Sequence, residues 1–353
     1  MTTIWELVKR HKGKLVIGGA VVGGYLAVNS HLKQRQQKQQ ENSLFHDDIQ
    51  MQARRHYVFD ANQRACDDSI KELAPSIALV VKNRLNVDPL TKELHDGEVT
   101  SERKLELWND IKVLVFSAIV SHSFAFSLLT VALKAQISIL AAEICAQSTS
   151  ATMTNGWLSY LSPALFSWWT SSKDTTAEQS SATSRQVFIR SIQYFTTTGV
   201  EDLVDEVTAV VRKELDEQKL DSVMDGASLR DLLSRIADSI SKSSNNFFVK
   251  FIAPMEELTS SGWSDDGVTR LLERLVCLLQ SEKTKMTTMR LVDYYCTNAL
   301  HGIESAPLAK LLGRLSTSTV RLSRTDLESP LENSLCSSDV HQFAVHSFNL
   351  KHE

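Results

Sequence analysis

The sequence predicts an all-α protein, a single large bundle of long helices behind an N-terminal membrane anchor. Helix breakers are scarce in its body: the 353 residues hold six prolines, and five of the 13 glycines fall within the first 24 positions. Apolar residues recur at helical spacing, and no alternating β-branched run lies between turn pairs as a strand would. The third observation is KRHKGKLVIGGAVVGGYLAVN, from Lys9 to Asn29, a basic head on an apolar, glycine-rich body.

Residues 1–14 form the basic segment and 15–31 the expected transmembrane anchor. The 14 uncharged residues from Leu15 to Val28 would span about 21 Å as a helix against a hydrocarbon core of roughly 30 Å. Lys14 can snorkel on one side, and Asn29, Ser30 and His31 can lie in the interface on the other. Gly19 and Gly23 have the small-xxx-small spacing of close-packed membrane helices. A cleaved signal peptide and a core or interfacial helix are the alternatives; the first lacks an obvious small-residue cleavage site, and the second would have to tolerate four glycines. Basic residues flank both sides of the segment, so charge alone does not orient it.

A polar neck, 32–50, leads into the helical body, 51–353. In ARRHYVFDANQRACDDSIKEL, Tyr57, Ala61, Arg64 and Ala65 recur at helical spacing; Pro75 is expected to break the helix, and Ile77–Leu85 to restart it. In RKLELWNDIK, Lys104, Leu105, Trp108 and Lys112 share one broad helical face, while Leu107 and Ile111 turn elsewhere. Such a face either closes the core or presents an aromatic anchor rimmed by charge to a partner's amphipathic helix.

Residues 113–133 are 21 residues without formal charge apart from His122, long enough to cross a membrane. Six Ser, Thr and His side chains and charged flanks favour a buried central helix whose polar groups are satisfied by its neighbours, with His122 a core histidine. A second span is the alternative. The insertion, 146–185, contains GWLSYLSPALFSWWTSS; its Trp157, Trp168 and Trp169 either belong to a flap packed on the body or touch lipid. Further on, Val200, Leu203, Val204, Val207 and Val211 trace one apolar helix face, and Leu271, Leu272, Leu275 and Leu279 another.

The net charge of −4 argues against nucleic-acid binding. Five dispersed cysteines suggest neither a disulfide framework nor a zinc site. No phosphate-loop, nucleophile-elbow or zinc-protease motif occurs, so no catalytic residue, metal or cofactor is assigned, and a binding role is favoured over an enzyme.

RHKGK before a short glycine-rich apolar segment, then Arg54-Arg55-His56-Tyr57 with Asn62-Gln63-Arg64, KLELWNDIK and SAPLAKLLGRL, resembles the peroxin-3 family of peroxisomal membrane proteins. The resemblance covers about residues 5–320; Gln147–Ser184 has no counterpart, and the end after Arg324 matches poorly. It implies a single-pass protein of the peroxisomal membrane with a cytosolic helical body and no enzymatic activity. That body would dock peroxin-19, the chaperone that delivers peroxisomal membrane proteins, whose amphipathic N-terminal helix lies in a membrane-distal groove. The cargo would be handled only indirectly, by a monomeric receptor body. The groove tryptophan matches Trp108, its two lysines Lys104 and Lys310, and its leucine Leu94; helical adjacency adds Leu105 and Leu308. Lys9, Arg10, His11, Lys12 and Lys14 match the targeting cluster. The competing reading is a membrane-anchored helical enzyme or transporter subunit with its second span at 113–133.

Overall fold

In the computed structural model, one 47-residue helix runs through the middle of the bundle. The structure describes residues 43–95, 99–147, 188, 191–243, 246–253 and 266–350. The expected anchor, the basic segment with Lys9, Arg10, His11, Lys12 and Lys14, and Trp157, Trp168 and Trp169 lie outside them. Contacts divide the chain into two units, residues 1–57 and 58–353, and the architecture below is that of the second.

The helices are α1 (Ser43–Arg84), α2 (Asp88–His95), α3 (Ser101–Gln147), α4 (Val200–Glu214), α5 (Gly226–Ser241), α6 (Phe247–Ile252), α7 (Asp266–Gln280), α8 (Glu282–Ala299), α9 (Leu308–Leu322), α10 (Pro330–Leu335) and α11 (Ser338–Asn349). The all-α expectation holds. Among the described residues the exceptions are two-residue strands, β1 (Val223–Met224) and β2 (Ala306–Pro307), paired antiparallel with Val223 opposite Pro307.

The central helix is α3, with α2, α4, α5, α6, α7, α8, α9 and α11 packed around it. It is long and apolar enough to cross a membrane, yet 94% of its most apolar window is buried inside the body. Phe116, Ile119, Phe124, Leu128 and Leu129 have no exposed surface, and burying each such side chain stabilises the fold by roughly 1.5–3 kcal/mol. The surrounding α4 turns Glu201, Asp202 and Asp205 outward, the composition of a face in water and not in lipid. A second span at 113–133 would have no apolar face left for acyl chains.

The polar groups of α3 are mostly not satisfied by neighbouring helices as expected, and Ser117 and Ser121 bury hydroxyls with no hydrogen-bond partner among the described residues. Ser123, Ser127 and Thr130 donate to the carbonyls of Ile119, Ser123 and Phe126, one turn back in their own helix, and need no neighbour. His122 Nδ1 donates a hydrogen bond of 2.7 Å to the Ala118 carbonyl, and burial pushes its pKa down to about 4 despite that bond. Across helices, Gln63 of α1 donates to Ser138 at 3.1 Å and the Cys296 thiol of α8 to Ser123 at 3.5 Å, and ionic contacts join them. Lys134, nearly inaccessible, pairs with Asp67 of α1 at 2.6 Å, and Glu143 receives Arg270 of α7 at 2.6 Å.

Pro75 does not break α1, which continues to Arg84. Its ring faces solvent, while Ala74, Ile77 and Ala78 on either side are buried in the common core and hold the two halves in line. Before α4, a single π-turn (Phe195–Gly199) lies against α6. A Cβ on Gly199 would stand 2.1 Å from the Phe251 carbonyl oxygen, so this close approach admits only glycine. Asp225, Ser281, Ser329 and Ser337 cap α5, α8, α10 and α11 by accepting backbone N–H bonds.

Candidate functional site

One end of the bundle collects the sequence-predicted contact residues. It is built from α2, the start of α3, the turn after α4, the β1–β2 pair and the start of α9. Thr100 begins α3 by accepting the Arg103 N–H at 3.3 Å. Arg103 then reaches back across the corner to Glu93 of α2 at 2.9 Å and along its own helix to Glu106 at 3.1 Å. The corner thereby sets α2 beside α3, where Leu90 and Leu94, one turn apart, rest half-buried on the core.

On α3 the apolar residues part company. Leu107 is fully buried and Ile111 nearly so, whereas Trp108 is half-buried and Leu105 is 59% exposed. Leu105 and Trp108, at i and i+3, therefore offer apolar surface on one side of α3, the helix on which α2 with Leu94 packs. Lys104 is exposed next to Leu105 and, among the described residues, pairs with no carboxylate.

Lys112 departs from expectation. Instead of joining Lys104 at the rim, it is buried and donates to the Leu215 carbonyl at 3.0 Å and the Gln218 carbonyl at 2.7 Å. An ammonium at the carbonyl end of α4 is favourably placed against the helix dipole. Desolvation pushes its pKa below the ordinary lysine range, with Asp216 opposing. The chain held by Lys112 continues to the other wall of the site. The carbonyls of Leu220 and Ser222 accept the Ala309 and Leu308 N–H groups, both at 2.9 Å, satisfying first-turn donors of α9. Lys310 follows, exposed and, among the described residues, without an ion pair.

Leu308 needs correcting: it has no exposed surface, so it supports Lys310 from the core and offers nothing to a partner. Sequence reading also missed Val223, an apolar strand residue 68% exposed at this same end. Its only signal was a Val-Met pair between polar residues in DSVMD, which is too short a pattern to single out. No group of three His, Cys, Asp or Glu side chains among the described residues is arranged to hold a metal. Cys66 and Cys296 are buried thiols pushed up to about 12 by desolvation.

The Peroxin-3 family model matches residues 6–102 and 95–311, most of the chain. The chain belongs to the Peroxin-3 family. Among relatives, Peroxisomal biogenesis factor 3 of Mus musculus is 26% identical over 270 residues, 76% of this chain and 62% of its own. The Homo sapiens protein of that name is 24% identical over 249 residues, 70% of this chain and 60% of its own. Peroxisome biogenesis protein 3-1 of Arabidopsis thaliana is 21% identical over 287 residues, 78% and 75% of the two chains. The chain spans about three-fifths of the length of these mammalian relatives, and the Peroxin-3 match lies within residues 6–311. It encloses Leu94, Lys104, Leu105, Trp108, Leu308 and Lys310.

Proposed function

We propose that this chain acts in peroxisome biogenesis as a membrane-anchored, non-enzymatic docking receptor for peroxin-19. The family and the names of its relatives support the biogenesis role. The observation that supports the docking role is apolar surface left partly open to solvent at Leu94, Leu105 and Trp108, with Lys104 on the same turn of α3 and Lys310 at the start of α9 both exposed and, among the described residues, without ion pairs. An amphipathic helix carrying an aromatic anchor and acidic flanks suits such a surface: the apolar face supplies affinity, and the two ammonium groups fix direction and speed encounter.

In this reading residues 15–31 hold the protein in the peroxisomal membrane with its body in the cytosol, and Lys9, Arg10, His11, Lys12 and Lys14 direct it there. Cargo membrane proteins meet the receptor through peroxin-19, and Trp157, Trp168 and Trp169 contact membrane lipid. The test is binding of the full chain, in detergent, to a synthetic peptide of the peroxin-19 N-terminal helix. Trp108→Ala is expected to weaken binding about tenfold or more with unchanged helical circular dichroism. Equal affinity in a folded variant would remove the site.

A further inference from the structure

Resting on the docking reading, we infer that Lys112 is a positioning residue that holds the two walls of this surface in register. The connection is continuous. Lys112 lies one turn beyond Trp108 on α3, and its ammonium grips the Leu215 and Gln218 carbonyls from within the protein. Leu220 and Ser222, in the same turn, accept the N–H groups of Ala309 and Leu308, which immediately precede Lys310. Val223 and Met224 then pair with Pro307 and Ala306, so the turn and the start of α9 move as one piece. Among the described residues no ion pair joins the turn 215–222 to α3; the nearest is Arg212 of α4 to Asp110, long at 3.7 Å and exposed.

α9 also packs directly on α3 further along the bundle, and at this end a buried amine that touches two carbonyls is the polar tie between the turn leading to Lys310 and the Trp108 wall. Without it the two carbonyls would lose their donor inside the protein, and the turn would shift toward water to recover one. The partner would then meet a correct set of side chains at an incorrect separation. Affinity gained by preorganisation would be lost without any contact residue having changed.

Two measurements on the full chain in detergent decide this. By hydrogen exchange, Lys112→Met is expected to speed the Leu308 and Ala309 amides about tenfold or more while amides of central α3 keep their protection. In the peptide-binding assay the same variant is expected to bind about tenfold more weakly, and Lys112→Arg, which can also reach two carbonyls, to restore both readouts. A folded Lys112→Met protein with unchanged exchange at Leu308 and Ala309, or with wild-type affinity, overturns the proposal. Should that variant fail to fold, Lys112→Gln, uncharged and one bond too short to span both carbonyls, takes its place in both arms, with losses in the same direction expected. If the wild-type chain does not bind the peptide at all, the docking reading fails and the proposed role falls with it, while the exchange arm still reports whether Lys112 holds the turn.

Discussion

The two ends of α3 are the same helix under opposite rules. Beyond Lys112 nearly every side chain is enclosed, and the few ionised groups are matched, Lys134 to Asp67 and Glu143 to Arg270. Before Lys112, Leu105 stands in water and Lys104 has no carboxylate partner among the described residues. The interior end commits its apolar area and its charges to the fold. The open end holds apolar area and charge that the fold does not use, the signature of a surface shaped for something else.

The largest expected effect comes from emptying a fully buried position of α3. Leu107→Ala should cost about 2–5 kcal/mol of stability, measured by urea unfolding of the full chain in detergent. Titrating the interior comes next. His122 is pushed down to about 4 in the folded protein from an unfolded value of 6.5, so the unfolded chain takes up the proton first as pH falls. Stability present above pH 6.5 is therefore lost progressively down to about pH 4, by about 3 kcal/mol in all. His122→Gln should remove that share of the acid sensitivity, and parallel unfolding curves at pH 7 and pH 4.5 would show the difference. The smallest effect sharpens the contrast. Leu105→Ala, two residues from Leu107, should change stability by no more than about 0.5 kcal/mol. It should nonetheless weaken binding of the peroxin-19 peptide; an unaffected affinity would mean that the exposed leucine takes no part in docking.

Periodicity made the interior end legible. The charge-free run of 113–133 and its polar load pointed to a central helix, and His122 sits there as a core residue. The open end was legible where residues lie close in sequence: Leu105 and Trp108, three apart, do share a side. Helical adjacency failed for Leu308, because residues two apart point to nearly opposite sides of a helix, and Lys310 took the outer one. It failed for Lys112 for another reason. The carbonyls it meets belong to Leu215 and Gln218, more than a hundred positions away, and no local pattern announces their arrival. Pro75 misled because propensity describes an isolated helix, whereas Ala74 and Ile77 are held by the core.

The slightness of α2 has a consequence for how a partner would be received. This eight-residue helix buries none of its residues fully, and it is fastened by two half-buried leucines and the exposed Arg103–Glu93 bridge. Exposed bridges of this kind contribute little, so α2 belongs to the part of the molecule that opens at small free-energy cost. One jaw of the proposed docking surface is thus compliant while the other, on α3, is rigid. A compliant jaw can close on helices of differing girth, and its amides would become slower to exchange once a guest is in place.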